Sequence, residues 1–124
     1  MESILDSIKK LLGITDEYKH FDVDIIMHIN TAFLTLQQLG VGPKEGYSIQ
    51  DEHDKWEDYL PLGEHRLESV KTYIYLKVKL AFDPPQSSSV TESYNRMISE
   101  LEWRISVLVD ELKKEEEESE DEQQ

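Results

Sequence analysis

The chain has 124 residues and no cysteine, and its 27 acidic residues against 13 basic ones give a net charge of −14. That length suits one domain with a real core, and the lack of cysteine excludes disulfides, a thiolate nucleophile and a cysteine-ligated zinc site. The charge argues against nucleic-acid or anionic-membrane binding, since both are held through Lys and Arg.

No apolar run approaches the ~20 residues that span a bilayer. Met1-Glu2-Ser3-Ile4-Leu5-Asp6 puts acids where a signal peptide needs bases, so the expectation is a soluble, intracellular protein. Residues 113–124 hold two lysines and seven acids, a net −5 that leaves −9 on residues 1–112. Such a like-charge run reads as a solvated, disordered tail.

Ile4, Leu5, Ile8, Leu11 and Leu12 fall at helical spacing, with Gly13 placed to end the helix. So short an amphipathic helix needs a partner to form. A membrane-anchor reading is the weaker one, because Glu2 and Asp6 dilute its basic face. Next, Asp22 is the expected N-cap of a helix in which Ile25, Ile29, Ala32, Leu36 and Leu39 recur at steps of four and three. Ile26 and Phe33 widen that stripe and Gly40 ends it; His28 and Asn30 lie beside it, where a helix flank is favoured over a ligand role.

From 40 to 63 the texture changes. Gly40, Gly42, Pro43 and Gly46 supply turns. Tyr47-Ser48-Ile49 reads as a short extended piece, open to a small β-hairpin. Asp51 is then expected to cap a one-to-two-turn helix that buries Trp56, Tyr59 and Leu60 and ends near Pro61 and Gly63. A connection this long inside a compact domain is often functional, which makes Tyr47 and Trp56 candidate partner contacts.

Ile74, Leu76, Val78 and Leu80 alternate with Tyr75, Lys77 and Lys79, as in a half-buried strand. Extended backward, Leu67, Val70, Ile74, Val78 and Ala81 keep helical spacing over about four turns. A strand that long is atypical, so a helix is predicted. Pro84 and Pro85 stop it at Phe82, and Ser89 with Glu92 forms a capping-box signal for the next helix. There Tyr94, Ile98, Leu101, Ile105, Leu108 and Leu112 make a heptad seam, with Met97, Trp103, Val107 and Val109 off it. Two readings stand: part of this helix meets another subunit, or a single bundle wraps it deeply. The fold expected is all-α, a small bundle of four to five helices with a long Gly/Pro-containing loop between helices 2 and 3. Its helical domain covers residues 1–112, and 113–124 form the tail.

The residues offer no catalytic constellation. His20, His28, His53 and His65 are scattered without an HExxH pair. Asp51, Glu52, His53, Asp54, Glu57 and Asp58 are dense in oxygen ligands but lack EF-hand spacing. Gly40-Val41-Gly42 lacks the Lys-Ser/Thr of a phosphate-binding loop, and no Gly-x-Ser-x-Gly elbow occurs. Lysines among aromatics occur only over Lys71 to Lys79, where flanking a packed helix is the plainer role. No enzyme activity, cofactor or metal is expected.

The ordered pieces carry a resemblance. Leu-Leu-Gly-Ile-Thr-Asp (11–16) and Phe-Asp-Val-Asp-Ile-Ile-Met-His-Ile-Asn-Thr-Ala-Phe (21–33) resemble the opening of tailed-phage head–tail connector (adaptor) proteins. The likeness continues through Gln-Gln-Leu-Gly-Val-Gly-Pro (37–43), Trp56-Glu57-Asp58-Tyr59-Leu60 and Val70-Lys71-Thr72-Tyr73-Ile74-Tyr75-Leu76. It closes with Phe82-Asp83-Pro84-Pro85 and Glu100-Leu101-Glu102-Trp103-Arg104. It covers roughly residues 1–110 and leaves out the acidic tail.

The resemblance implies a helical subunit of a ring of about twelve copies beneath the portal of a filled capsid. Such a ring extends the DNA channel and meets a stopper or tail-completion protein, without catalysis or cofactor. An acidic lumen would let DNA pass without sticking. On this reading Trp103, Arg104 and Leu108, with Tyr73 and Tyr75 opposite, are expected to contribute to contact between subunits. The rival is a free-standing acidic protein, such as a DNA mimic that occupies a nucleic-acid-processing enzyme. It would need a regular acidic stripe, and the sequence has none.

Overall fold

The computed structural model describes residues 2–60 and 64–122. It holds five helices: α1 (Ile4–Leu11), α2 (Asp22–Gln38), α3 (Trp56–Tyr59), α4 (Glu64–Phe82) and α5 (Ser88–Glu122). Among the described residues no strand forms. The extended piece expected at Tyr47–Ile49 makes no hairpin, and an isolated antiparallel bridge joins Ser3 to Lys55.

Sequence spacing accounts for α1 and its ends. Ser3 caps it by accepting from the Asp6 N–H at 3.2 Å. At the other end the Ile14 N–H reaches the Lys9 carbonyl at 2.9 Å and the Gly13 N–H reaches that of Lys10 at 3.1 Å, a Schellman turn. Ile4, Leu5 and Ile8 are fully buried.

Lys9 is buried too, which its place in an amphipathic pattern does not suggest. Its ammonium donates to the Tyr18 carbonyl at 2.7 Å and the Asp16 carbonyl at 3.3 Å, and forms an ion pair with Asp22 Oδ1 at 2.8 Å. Asp22 is therefore not the N-cap of α2. It lies inside the first turn, Phe21 occupies the cap position without a side-chain hydrogen bond, and the carboxylate is drawn to Lys9 instead.

α2 ends as its sequence predicts. The Val41 N–H bonds the Leu36 carbonyl at 2.9 Å and the Gly40 N–H that of Gln37 at 3.0 Å, with Gly40 at φ +93°. A Cβ on Gly40 would also sit 3.1 Å from Val109 Cγ1 of α5. Gly40→Ala is therefore expected to cost about 1–3 kcal/mol through the left-handed conformation alone. Urea unfolding measures it, and an unchanged midpoint would contradict this account of the turn.

The 40–60 segment is fastened to the core. Asn30 clamps it by donating to the Ile49 carbonyl at 3.1 Å and accepting from the Ile49 N–H at 2.8 Å. Phe33, Tyr47 and Tyr59 stack beside that clamp, with ring centroids 4.5–5.2 Å apart. Asp51 does not cap α3. It accepts from the His53 N–H two residues on, Asp54 takes the Gln50 N–H, and Lys55 holds the cap position. The stop expected at Pro61 and Gly63 lies outside the described residues.

α4 is a helix throughout, and it is central: it packs against α1, α2 and α5. Val70, Tyr73, Ile74, Leu76 and Val78 are all buried. Burial on several sides explains why its sequence mimics strand alternation. α5 starts at Ser88, earlier than the Ser89 cap expected; the Ser87 carbonyl accepts its first N–H, from Thr91 at 3.1 Å. It runs unbroken past residue 112, so 113–122, expected as a disordered tail, continue the helix. Extending an existing helix costs far less than nucleating one.

Candidate partner-binding surface

Two-sidedness is the functional feature of α5. One side completes the core through Ile98 and Ile105, with Tyr94, Leu101 and Val109 packed against it. Trp103 and Val107 stand two residues on either side of Ile105, which at 100° per residue turns both away from that core. Trp103 is 67% exposed, and Met97 (42%) and Val107 (37%) extend the apolar surface. Arg104, beside Trp103, is exposed and pairs with Glu100 one turn back at 2.6 Å. Trp with Arg in an unpartnered apolar surface is the composition of a protein-binding hot spot.

The seven residues expected at contacts do not come together. Trp103 and Arg104 lie on this outer surface. Leu108 is half-buried and lines an apolar cavity of about 120 Å³ with Val41, Leu60, Val70 and Val109. Tyr75 is half-buried where α4 meets α5; burial first, then Tyr94 and Asp83, raise its phenol pKa.

The remaining three point inward in the folded chain. Tyr73 is wholly enclosed because α4 is covered on several sides. Trp56 is enclosed between α1 and α4: its Nε1–H donates to Ser7 Oγ at 2.8 Å, and Lys71 Nζ stands 5.4 Å from the ring centroid. Tyr47 is half-buried against Phe33 and Tyr59, its pKa raised by burial and then by Asp54 and Asp58.

Burial of the tyrosines has a measurable consequence. It pushes Tyr73 up to about 12, with Glu102 adding to the effect, and raises Tyr59 further. Below pH 10 both folded and unfolded chains keep these phenols protonated, and stability is unaffected. From pH 10 to about 12 the unfolded chain releases the Tyr73 proton while the folded one holds it, so stability falls as pH rises. Circular dichroism with phenolate absorbance should show cooperative alkaline unfolding in that window; all tyrosines ionising near pH 10 with the fold intact would contradict it.

A surface that sequence reasoning missed lies on α2. Val23, Met27 and Leu34 are 80%, 57% and 55% exposed and share the side opposite Ile25, Ile29, Ala32 and Leu36. The signal was a second stripe at 23, 27 and 34, two residues out of phase with the first.

Asp51, Glu52 and His53 bring ligand atoms within 4.8 Å of one another, but on an exposed turn whose carboxylate serves backbone N–H groups. The His53 N–H, its strongest contact, lowers the pKa of Asp51. No helix among the described residues is long and apolar enough to cross a membrane.

No curated protein and no solved structure matches the chain. The family described as Phage connector protein matches residues 4–112, from the first residue of α1 to the point where the acidic run begins. The chain belongs to the phage connector protein family.

Proposed function

We propose that this chain is an adaptor subunit at the head–tail junction of a tailed phage. About twelve copies form a ring under the portal, extend its DNA channel and offer a platform to the stopper or tail-completion protein. The role is structural, without catalysis or cofactor. The observation that carries the reading is the outward surface of α5, where Trp103 stands 67% exposed beside exposed Met97 and Val107. Monomers rarely leave such surface unpartnered without a use for it.

The charge supports the same role. A ring of copies each carrying −14 would present DNA with a surface that neutralises few phosphates. The helical domain 1–112 is the part that assembles. Residues 113–124 are the acidic extension and are dispensable for docking.

Co-sedimentation with portal particles of the same phage tests this. The full chain and a chain ending at Leu112 should both travel with the portal, and Trp103→Glu should weaken binding at least about tenfold. Free chains in every case would contradict the adaptor role. Loss on truncation alone would move the contact into the acidic segment.

A further inference from the structure

The outward row of α5 is symmetric about Trp103. Ser99 and Val107 stand four residues before and after it, Arg96 and Asp110 seven, Glu92 and Lys114 eleven. At 100° per residue all of them lie within about 40° of the Trp103 direction, and all are exposed. α5 packs on α4 through its opposite side, where Ile98 and Ile105 are buried, which leaves this row uncovered.

The charges on the row are complementary to the same row reversed. When two α5 helices run antiparallel and cross at Trp103, Arg96 of one meets Asp110 of the other, and Glu92 meets Lys114. Symmetry makes each of these pairs twice, around a centre of two Trp103 rings and two Val107 side chains. A parallel pair would set every one of these charges against itself.

The flanking charges fit the same arrangement, because in an antiparallel pair each flank faces its own counterpart. Glu100 comes opposite Arg104, its partner within one chain at 2.6 Å. Lys113 comes beside Glu92, and Glu111 opposite the uncharged Ser93. Glu102 is half-buried and points aside. Glu115 to Glu118 come opposite Ser88 to Thr91, the first turn of the other helix, whose free N–H groups favour acids. The net charge of −14 on each copy repels at long range, but physiological salt screens that beyond about 8 Å.

We propose that the free chain is a two-fold dimer in which the outer row of α5 lies antiparallel on the same row of a second copy. A patch that pairs with itself closes at two copies, so this contact is not the repeat of a ring. It covers Trp103, and so keeps the surface that docks on portal out of water until portal displaces the second copy. Only that displacement rests on the adaptor reading above.

Sedimentation equilibrium of the full-length chain without portal tests the dimer. The native chain should be mostly dimer at about 100 μM, and Trp103→Glu should self-associate at least about tenfold more weakly. Arg96→Glu and Asp110→Arg should each cause a similar loss, because like charges then face each other twice. Mixed one to one, those two variants should recover a heterodimer, since every facing pair is again of opposite charge. All three side chains are exposed, so circular dichroism melts should stay nearly unchanged.

A native monomer at that concentration, or no recovery on mixing, would overturn the dimer. Species larger than two copies would overturn it in favour of a head-to-tail contact. None of these measurements contains portal, so co-sedimentation with portal judges the adaptor reading separately.

Discussion

Trp56→Ala should remove about 3–5 kcal/mol of stability, the range for emptying a large aromatic site. Three features make this the most damaging single truncation in the core. The ring is 2% exposed, its N–H is satisfied by Ser7 of α1, and Lys71 of α4 covers it. Removing it leaves a cavity among three helices and leaves Ser7 without its donor. A small domain has only about 5–15 kcal/mol in total, so the variant should melt far lower or fail to fold. Trp56→Phe should cost less, since the ring volume mostly remains.

The other tryptophan provides the control. Trp103→Ala should change stability by no more than about 0.5 kcal/mol, because its ring is mostly in water. Chemical denaturation of the three variants checks the contrast. Equal losses at 56 and 103 would mean that α5 packs differently from the arrangement described.

The second large effect concerns the enclosed ion pair. Lys9→Met should cost about 3–5 kcal/mol, because the Asp22 carboxylate and the carbonyls of Asp16 and Tyr18 lose their shared donor. The double variant Lys9→Met/Asp22→Asn should cost less than the single one, since no unpaired charge is left behind. Such non-additivity is the signature of two directly coupled groups. Purely additive losses would show that the two side chains do not act as a pair.

Much of the fold was legible in the sequence where the controlling interactions are local. The stripes of α2 and α5, the Gly13 and Gly40 terminators and the Pro84-Pro85 break each depend on residues within a turn or two. The N-cap of α2 was not legible. Asp22 has the right chemistry for a cap, but Lys9, thirteen residues earlier and with no capping signature, claims its carboxylate.

For α4 the spacing alone admitted strand or helix, and only its central position explains the surplus of apolar residues. That position also hid the enclosure of Tyr73, which depends on helices distant in sequence. Trp103 was legible as off the α5 seam, and the structure sets it in water. The α2 stripe was present in the spacing, but a sequence does not say which of two apolar faces a helix turns inward. What the phage connector family adds to this architecture is a reason for apolar surface to remain after folding.

Electron cryo-microscopy of the full-length protein mixed with the portal of the same phage tests the central claim most directly. A closed ring of this chain, coaxial with the portal and continuing its channel, is the predicted result. A portal with no added density, or with isolated copies scattered on its flank, would contradict it.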